Sequence, residues 1–262
     1  MLILKITVVP LFIAVVTLAG RRWGAGIAGL LAGFPVVAGP IVIFIAVEQG
    51  AQFGAVAAIA AMSAIAGLVA FGVAYCWASV RWPWPVALAC ATAVWLLTAR
   101  VLAALPSVPQ VALTVAALAL VLAPRLLPRG LPVSVSGASL NDLPYRMITG
   151  ALLTLSVTAV AASLGEVWAG LLAVFPVIGL VLAVFIHRAN GPHQVANMYR
   201  GMVHGLYSFA AFFLVLAVFW IRTEFWSACI LAVVAGITVQ AIVQFLVRPN
   251  NQLNGDAAGG AR

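Results

Sequence analysis

Gly29-Leu30-Leu31-Ala32-Gly33-Phe34-Pro35-Val36-Val37-Ala38-Gly39-Pro40 lies inside an apolar segment long enough to cross a bilayer. The pattern recurs 141 residues later as Gly170-Leu171-Leu172-Ala173-Val174-Phe175-Pro176-Val177-Ile178. Each copy puts a proline mid-helix, where it deletes one backbone hydrogen bond and crowds the preceding turn. Gly33, Gly39 and Pro40 loosen the first copy further. Over Gly29–Gly50 against Gly170–Gly191, ten of 22 positions are identical: Gly29, Leu30, Leu31, Ala32, Phe34, Pro35, Val36, Phe44, Ile45 and Gly50. Outside that window the similarity is faint. Broken helices at matching positions of two repeats are the sequence pointer to a transporter's binding site.

Composition sets the class. Of 262 residues, 65% are apolar and 7% charged, with a mean hydropathy of +1.20. That excludes a soluble domain and predicts an all-α integral membrane protein. The three cysteines, Cys76, Cys90 and Cys229, all lie in apolar segments, and their number and spacing suit neither a disulfide framework nor a metal site. There is no phosphate-binding glycine loop, dinucleotide pattern, paired membrane carboxylate or His/Cys cluster with metal spacing. No catalytic residue, metal or cofactor is therefore assigned. The expectation is a protein that is not an enzyme and does not couple to ATP by itself.

Nine apolar segments follow in order. Four, about Leu2–Ala19, Gly24–Val47, Ala51–Ser79 and Val86–Leu105, form repeat one, residues 1–107. The first, with Lys5 near its start, has features of a signal peptide. Its counterpart near Met147–Leu164 lies mid-chain and cannot be cleaved, so a retained helix is expected. A fifth segment of about 16 residues, Val108–Ala123, and the polar stretch Arg125–Pro144 make the linker, 108–144. Repeat two, 145–247, holds Tyr145–Leu164, Val167–Ile186, Ala196–Ile221 and Phe225–Val247. The tail, 248–262, is polar and small and is expected to lack structure.

Charge gives an independent test. If the loops alternate across nine spans, one side receives ten of the 13 basic residues and the other Lys5, Arg100 and Arg222. With two acids against three, the sides carry +8 and zero. Basic loops stay cytoplasmic, so the N-terminus is expected outside and the C-terminus inside, in the inner (plasma) membrane. The net charge of +8 then reflects topology and anionic lipid, not nucleic acid. With one span between the repeats, span one runs inward and span six outward. The expected fold is two inverted four-helix repeats joined by a linker helix.

Gly24 to Pro35 is 11 residues, or ~16 Å of helix, about half a bilayer. The breaks therefore fall near the midplane. Pro35 and Pro40 suit the first turn of a new half-helix, whose free N–H groups attract anionic groups. The candidate substrate-binding residues are Gly33, Phe34, Pro35, Gly39, Pro40, Phe175, Pro176 and Gly179. The competing reading is a pair of proline kinks repaired by neighbouring helices. Glu48, Gln49, His187, Arg188 and the intramembrane His204 are candidates for coupling or gating. For the first four, ordinary interfacial caps are the alternative; for His204 it is a hydrogen bond between helices.

The motif with its trailing Glu48-Gln49-Gly50 resembles small bacterial polytopic membrane proteins that carry duplicated Gly-Leu-Pro-type broken helices. The resemblance covers mainly residues 24–50 and 165–191 and transfers neither a substrate nor a functional residue. The function expected from the residues is secondary transport of a small or amphipathic, anionic solute by alternating access. The alternatives are a passive channel and a lipid flippase or other lipid-handling protein. The expected partners are membrane lipids, the solute and a second copy in a homodimer, since the 27.2 kDa chain leaves little scaffold around a central site.

Overall fold

A backbone in lipid must satisfy its own hydrogen bonds, which an apolar chain achieves with helices. A computed structural model describes residues 2–129, 142–161 and 166–259. Among them are twelve helices and no strand. The first half contains α1 (Leu2–Trp23), α2 (Ala25–Ala32), α3 (Ala38–Gln49), α4 (Ala51–Ser63), α5 (Ile65–Ser79) and α6 (Trp84–Ala103). Next comes α7 (Pro109–Leu126). The second half contains α8 (Leu143–Ala161), α9 (Glu166–Ala173), α10 (Val177–Asn190), α11 (Pro192–Phe219) and α12 (Phe225–Gly259).

Over their described residues the nine apolar segments are largely helical; the second and seventh are interrupted at the two motifs, and the third divides at Ala64. Among the described residues, six stretches are long and apolar enough to cross a membrane: Ala51–Ser79, Trp84–Ala103, Pro109–Leu126, Val167–Asn190, Pro192–Phe219 and Phe225–Leu246. They mark the chain as a multi-pass membrane protein. Their burial sorts them. Ala51–Ser79 and Val167–Asn190 are 78% and 83% buried, whereas α6, α7 and the apolar part of α12 are 22–28% buried. The first pair is central and the other three form the rim. The rim exposes residues such as Leu97, Leu118, Ile237 and Phe245, a surface that suits lipid rather than water.

Several boundaries differ from the sequence reading, two of them at Pro124 and in the tail. Helix α7 has 18 residues and runs through Pro124 to Leu126, because a proline in the last turn sacrifices only one hydrogen bond. Helix α12 runs to Gly259, so the segment from Arg248, expected to lack structure, continues the last helix. Residues 130–141 of the linker, 162–165 and 260–262 lie outside the described residues.

The packing repeats at the spacing of the motif. Helix α2 packs on α11, and its counterpart α9 packs on α4; α5 packs on α6, and α11 on α12; α3 packs on α4, and α10 on α11. Individual contacts repeat too. A methyl on Gly29 would strike the Met198 carbonyl, and one on Gly170 the Ala57 carbonyl; 29 and 57 become 170 and 198 on adding 141. Gly67 faces Trp95, and Ser208 faces Gly236, at the same offset. The helix joints at Gly50 and Gly191 share positive φ, 96° and 79°, which only glycine adopts cheaply.

Small residues let these backbones meet, as membrane helices require in the absence of a hydrophobic drive between them. Along α2, Gly26, Gly29 and Gly33 lie in turn against Gly201, Met198 with Met202, and Gly205. Both numbers rise together, so α2 and α11 are parallel. Helices α1 and α8 behave oppositely. Ile13 meets Gly150, while Thr17, Gly20 and Arg21 share a small cavity with Arg146. As α1 advances, α8 recedes, so these two counterparts are antiparallel.

The candidate site at the paired helix breaks

At the first break the helical ladder ends with the amides of Gly33 and Phe34, which donate to Gly29, Leu30 and Leu31. It resumes where Gly39 donates to the Pro35 carbonyl at 2.8 Å and Ile41 to Val37 at 3.3 Å. Between them, the amides of Val36, Val37 and Ala38 donate to no backbone carbonyl among the described residues. At the second break the amide of Phe175 donates to Leu172 at 3.0 Å, and the ladder resumes with Leu180 donating to Pro176 at 2.7 Å. Val177 makes a tight turn to Phe175. The amides of Ile178 and Gly179 have no backbone partner among the described residues. Val37 with Ala38, and Ile178 with Gly179, are the same positions of the two repeats.

All four of these residues line one cavity of about 290 Å³. Phe34, Phe175 and Pro176 also face it, with Met202, Leu206 and Phe209 of α11 as a wall. Its far end is lined by Ile45, Glu48, Gln49 and Phe53, and Glu48 and Gln49 are exposed. The chamber is thus mostly apolar, and residues at the starts of two half-helices line it. A helix start carries about half a positive charge, and two of them suit an anionic or polar head group. Phe175 is held by the edge of Trp95, 4.9 Å between ring centres.

On the other side of Gly179 the bundle is plugged. The Tyr199 hydroxyl donates to the Gly179 carbonyl at 3.3 Å. Its ring lies 6.4 Å from both Phe71 and Tyr75. Tyr75 then meets His187, edge to face at 6.0 Å, with a 3.4 Å hydrogen bond between Oη and Nδ1. In the other repeat, Ala46 and Ala58 stand where His187 and Tyr199 stand here. Four aromatic rings close one end, whereas the matching places of the other end hold Ala46, Ala58, Phe212 and Leu216.

The expected substrate-binding residues divide. Phe34, Phe175, Pro176 and Gly179 line the cavity. Pro35 and Pro40 create the break from its side without lining the chamber. Gly33 is buried against Met202 and Gly205 of α11, and Gly39 against the Phe212 ring, which a Cβ there would meet at 3.1 Å, so both serve packing. The coupling candidates divide too. Glu48 and Gln49 line the cavity, whereas His187 belongs to the plug at the opposite end. The Arg188 guanidinium sits 5.9 Å above the Trp84 ring. His204 is half-buried on α11 and does not line the cavity. The antiparallel register set by Ser208 and Gly236 puts it level with Gln240 of α12.

Sequence reasoning missed Phe71, Tyr75 and Tyr199. They lie in plain apolar helix, and only the partial recurrence of aromatic residues one turn apart, Phe71 with Tyr75, hinted at a cluster. Arg200 of α11 has a defined set of partners. It donates to the carbonyls of Pro124, Leu127 and Pro128 at 2.9 to 3.1 Å and so caps the end of α7. Among the described residues no group of three or more His, Cys, Asp or Glu could hold a metal ion.

A second, much smaller cavity of about 40 Å³ lies at the arginine-rich end. Ala28, Leu182, Ile186, Asn190 and Gln194 line it. Shifted by 141, these are Ala169, Ile41, Ile45, Gln49 and Phe53, all of which line the large cavity. The two cavities are lined by equivalent positions of the two halves, one large and one small. Comparison of the chain with protein-family models, curated proteins and solved structures gave no match.

Proposed function

We propose that the protein is a secondary transporter that moves a small, amphipathic, anionic solute by alternating access. In this reading two inverted four-helix repeats and a linker helix make nine spans, with the arginine-rich end cytoplasmic. The observation that carries it is the convergence of both breaks on one chamber, each contributing unpaired backbone amides. The repeated packing and the antiparallel course of α1 and α8 support the inversion. The apolar walls suit a short hydrocarbon part, and the paired helix starts suit a carboxylate-like head. Glu48 lies ten residues along α3 from Ala38, ~15 Å of helix. It is distant enough to leave an anion at the breaks undisturbed, and it lies exposed at the mouth.

A passive channel would use the same breaks. The aromatic plug and the unequal cavities favour a carrier, because a carrier opens one side at a time. Counterflow in proteoliposomes, run with labelled short-chain carboxylates and amino acids, separates the two. The expected result is saturable exchange of labelled for unlabelled solute. Flux that never saturates would assign a pore, and no flux with any probe would overturn the transport reading.

A further inference from the structure

Arg146, near the start of α8, is 1% exposed. Its guanidinium carbon lies 4.6 Å over the Phe185 ring, which offsets part of the cost of burying the charge. Nε and Nη2 are buried and have no hydrogen-bond partner among the described residues. Asp142, just before the start of α8, does not supply one. The hydroxyl of Thr17, 4% exposed, is likewise buried without a partner among the described residues. Both side chains, together with Arg21, line the 40 Å³ cavity. A buried guanidinium with two unused donors is costly unless something accepts from it. A cavity this size has room for a single small group.

We propose that this cavity is an oxyanion site, where Arg146 and Thr17 take the carboxylate- or phosphate-type head of the solute when the arginine-rich side opens. The inference of a site stands on the buried unpartnered donors. Its place on the solute's path rests on the transport reading. The cavity is the smaller counterpart of the large one, so a rocking of the halves that closes one would widen the other. The two repeats share a basic residue at this position, since Lys5 precedes Arg146 by 141.

The test is thermal unfolding of the full chain in neutral detergent, titrated separately with sodium acetate, sodium phosphate and sodium chloride at matched ionic strength. The wild type should show a saturable rise in midpoint with acetate or phosphate above that with chloride. The rise should be about 5 °C at a hundredfold excess over half-saturation. Arg146→Gln should lose the rise, and Thr17→Val should weaken half-saturation several-fold. Arg125→Gln, which removes an exposed arginine, should keep it. If Arg146→Gln does not fold, Arg146→Lys replaces it and should keep a weakened response, as a single ammonium replaces the forked guanidinium. A wild type that responds equally to all three salts, or an Arg146→Gln that responds like wild type, overturns the site. A flat titration with intact counterflow removes only this inference. A saturable titration without counterflow removes the transport reading and leaves the site.

Discussion

Replacing Pro176 with alanine should lower solute exchange per folded molecule about tenfold or more. Pro176 caps α10 and has no N–H to return to Leu172. An alanine restores that bond and favours continuous helix by about 3 kcal/mol relative to proline in a helix interior. As α9 and α10 join, the amides of Ile178 and Gly179 turn back onto their own ladder and leave the cavity. Hydrogen bonds to a charged group contribute about 1.5–3 kcal/mol each, and about 1.4 kcal/mol is a factor of ten in affinity. Pro35→Ala should do less, because Pro40 still withholds an amide from the next turn; Pro35→Ala with Pro40→Ala should match Pro176→Ala. Insertion and unfolding midpoint should hold or improve, since apolar length and loop charge are unchanged. The measurement is counterflow normalised to folded protein by fluorescence-detected gel filtration. Exchange within twofold of wild type for Pro176→Ala would return the prolines to simple kinks.

Gly179→Leu should abolish exchange while leaving the fold intact. A Cβ at Gly179 meets only the Met202 thioether at 3.6 and 3.7 Å and the Tyr199 ring at 3.8 Å, which is ordinary van der Waals contact. A Cβ is therefore accommodated, and the rest of a leucine side chain takes up space in a chamber of only about 290 Å³. Gly33→Leu is the contrasting case. A Cβ there would press on the Gly205 Cα at 2.8 Å, backbone that cannot yield. It should lose folded protein rather than activity per molecule. Uptake and unfolding measured together separate the two. A Gly179→Leu protein that exchanges at the wild-type rate would place the solute elsewhere.

Much of the fold was legible because membrane helices announce themselves by apolar length, and the duplicated Phe-Pro marked both breaks. The helix interruptions fell where Pro35 and Pro176 required them, since a missing amide is a local property. The division of labour among the glycines was not legible. Gly33 and Gly179 both flank a break, yet one is buried against α11 and the other faces a cavity, and only tertiary packing decides this. Arg146 was counted as a loop charge, because a position two residues beyond Pro144 reads as interfacial. Its burial depends on α1, α2 and α10 folding over it. The aromatic plug was equally hidden, since Tyr75, His187 and Tyr199 come from three segments of the chain.

The central claim is that two inverted halves share one site. Gln52 and His193 are equivalent positions 141 residues apart, just past the glycine joints, and both are exposed. In a background with Cys76, Cys90 and Cys229 replaced, Gln52→Cys and His193→Cys can each be probed with a membrane-impermeant maleimide in right-side-out and inverted vesicles. The account predicts that position 52 labels only from the outer side and position 193 only from the cytoplasmic side. Labelling of both positions from the same side would contradict it.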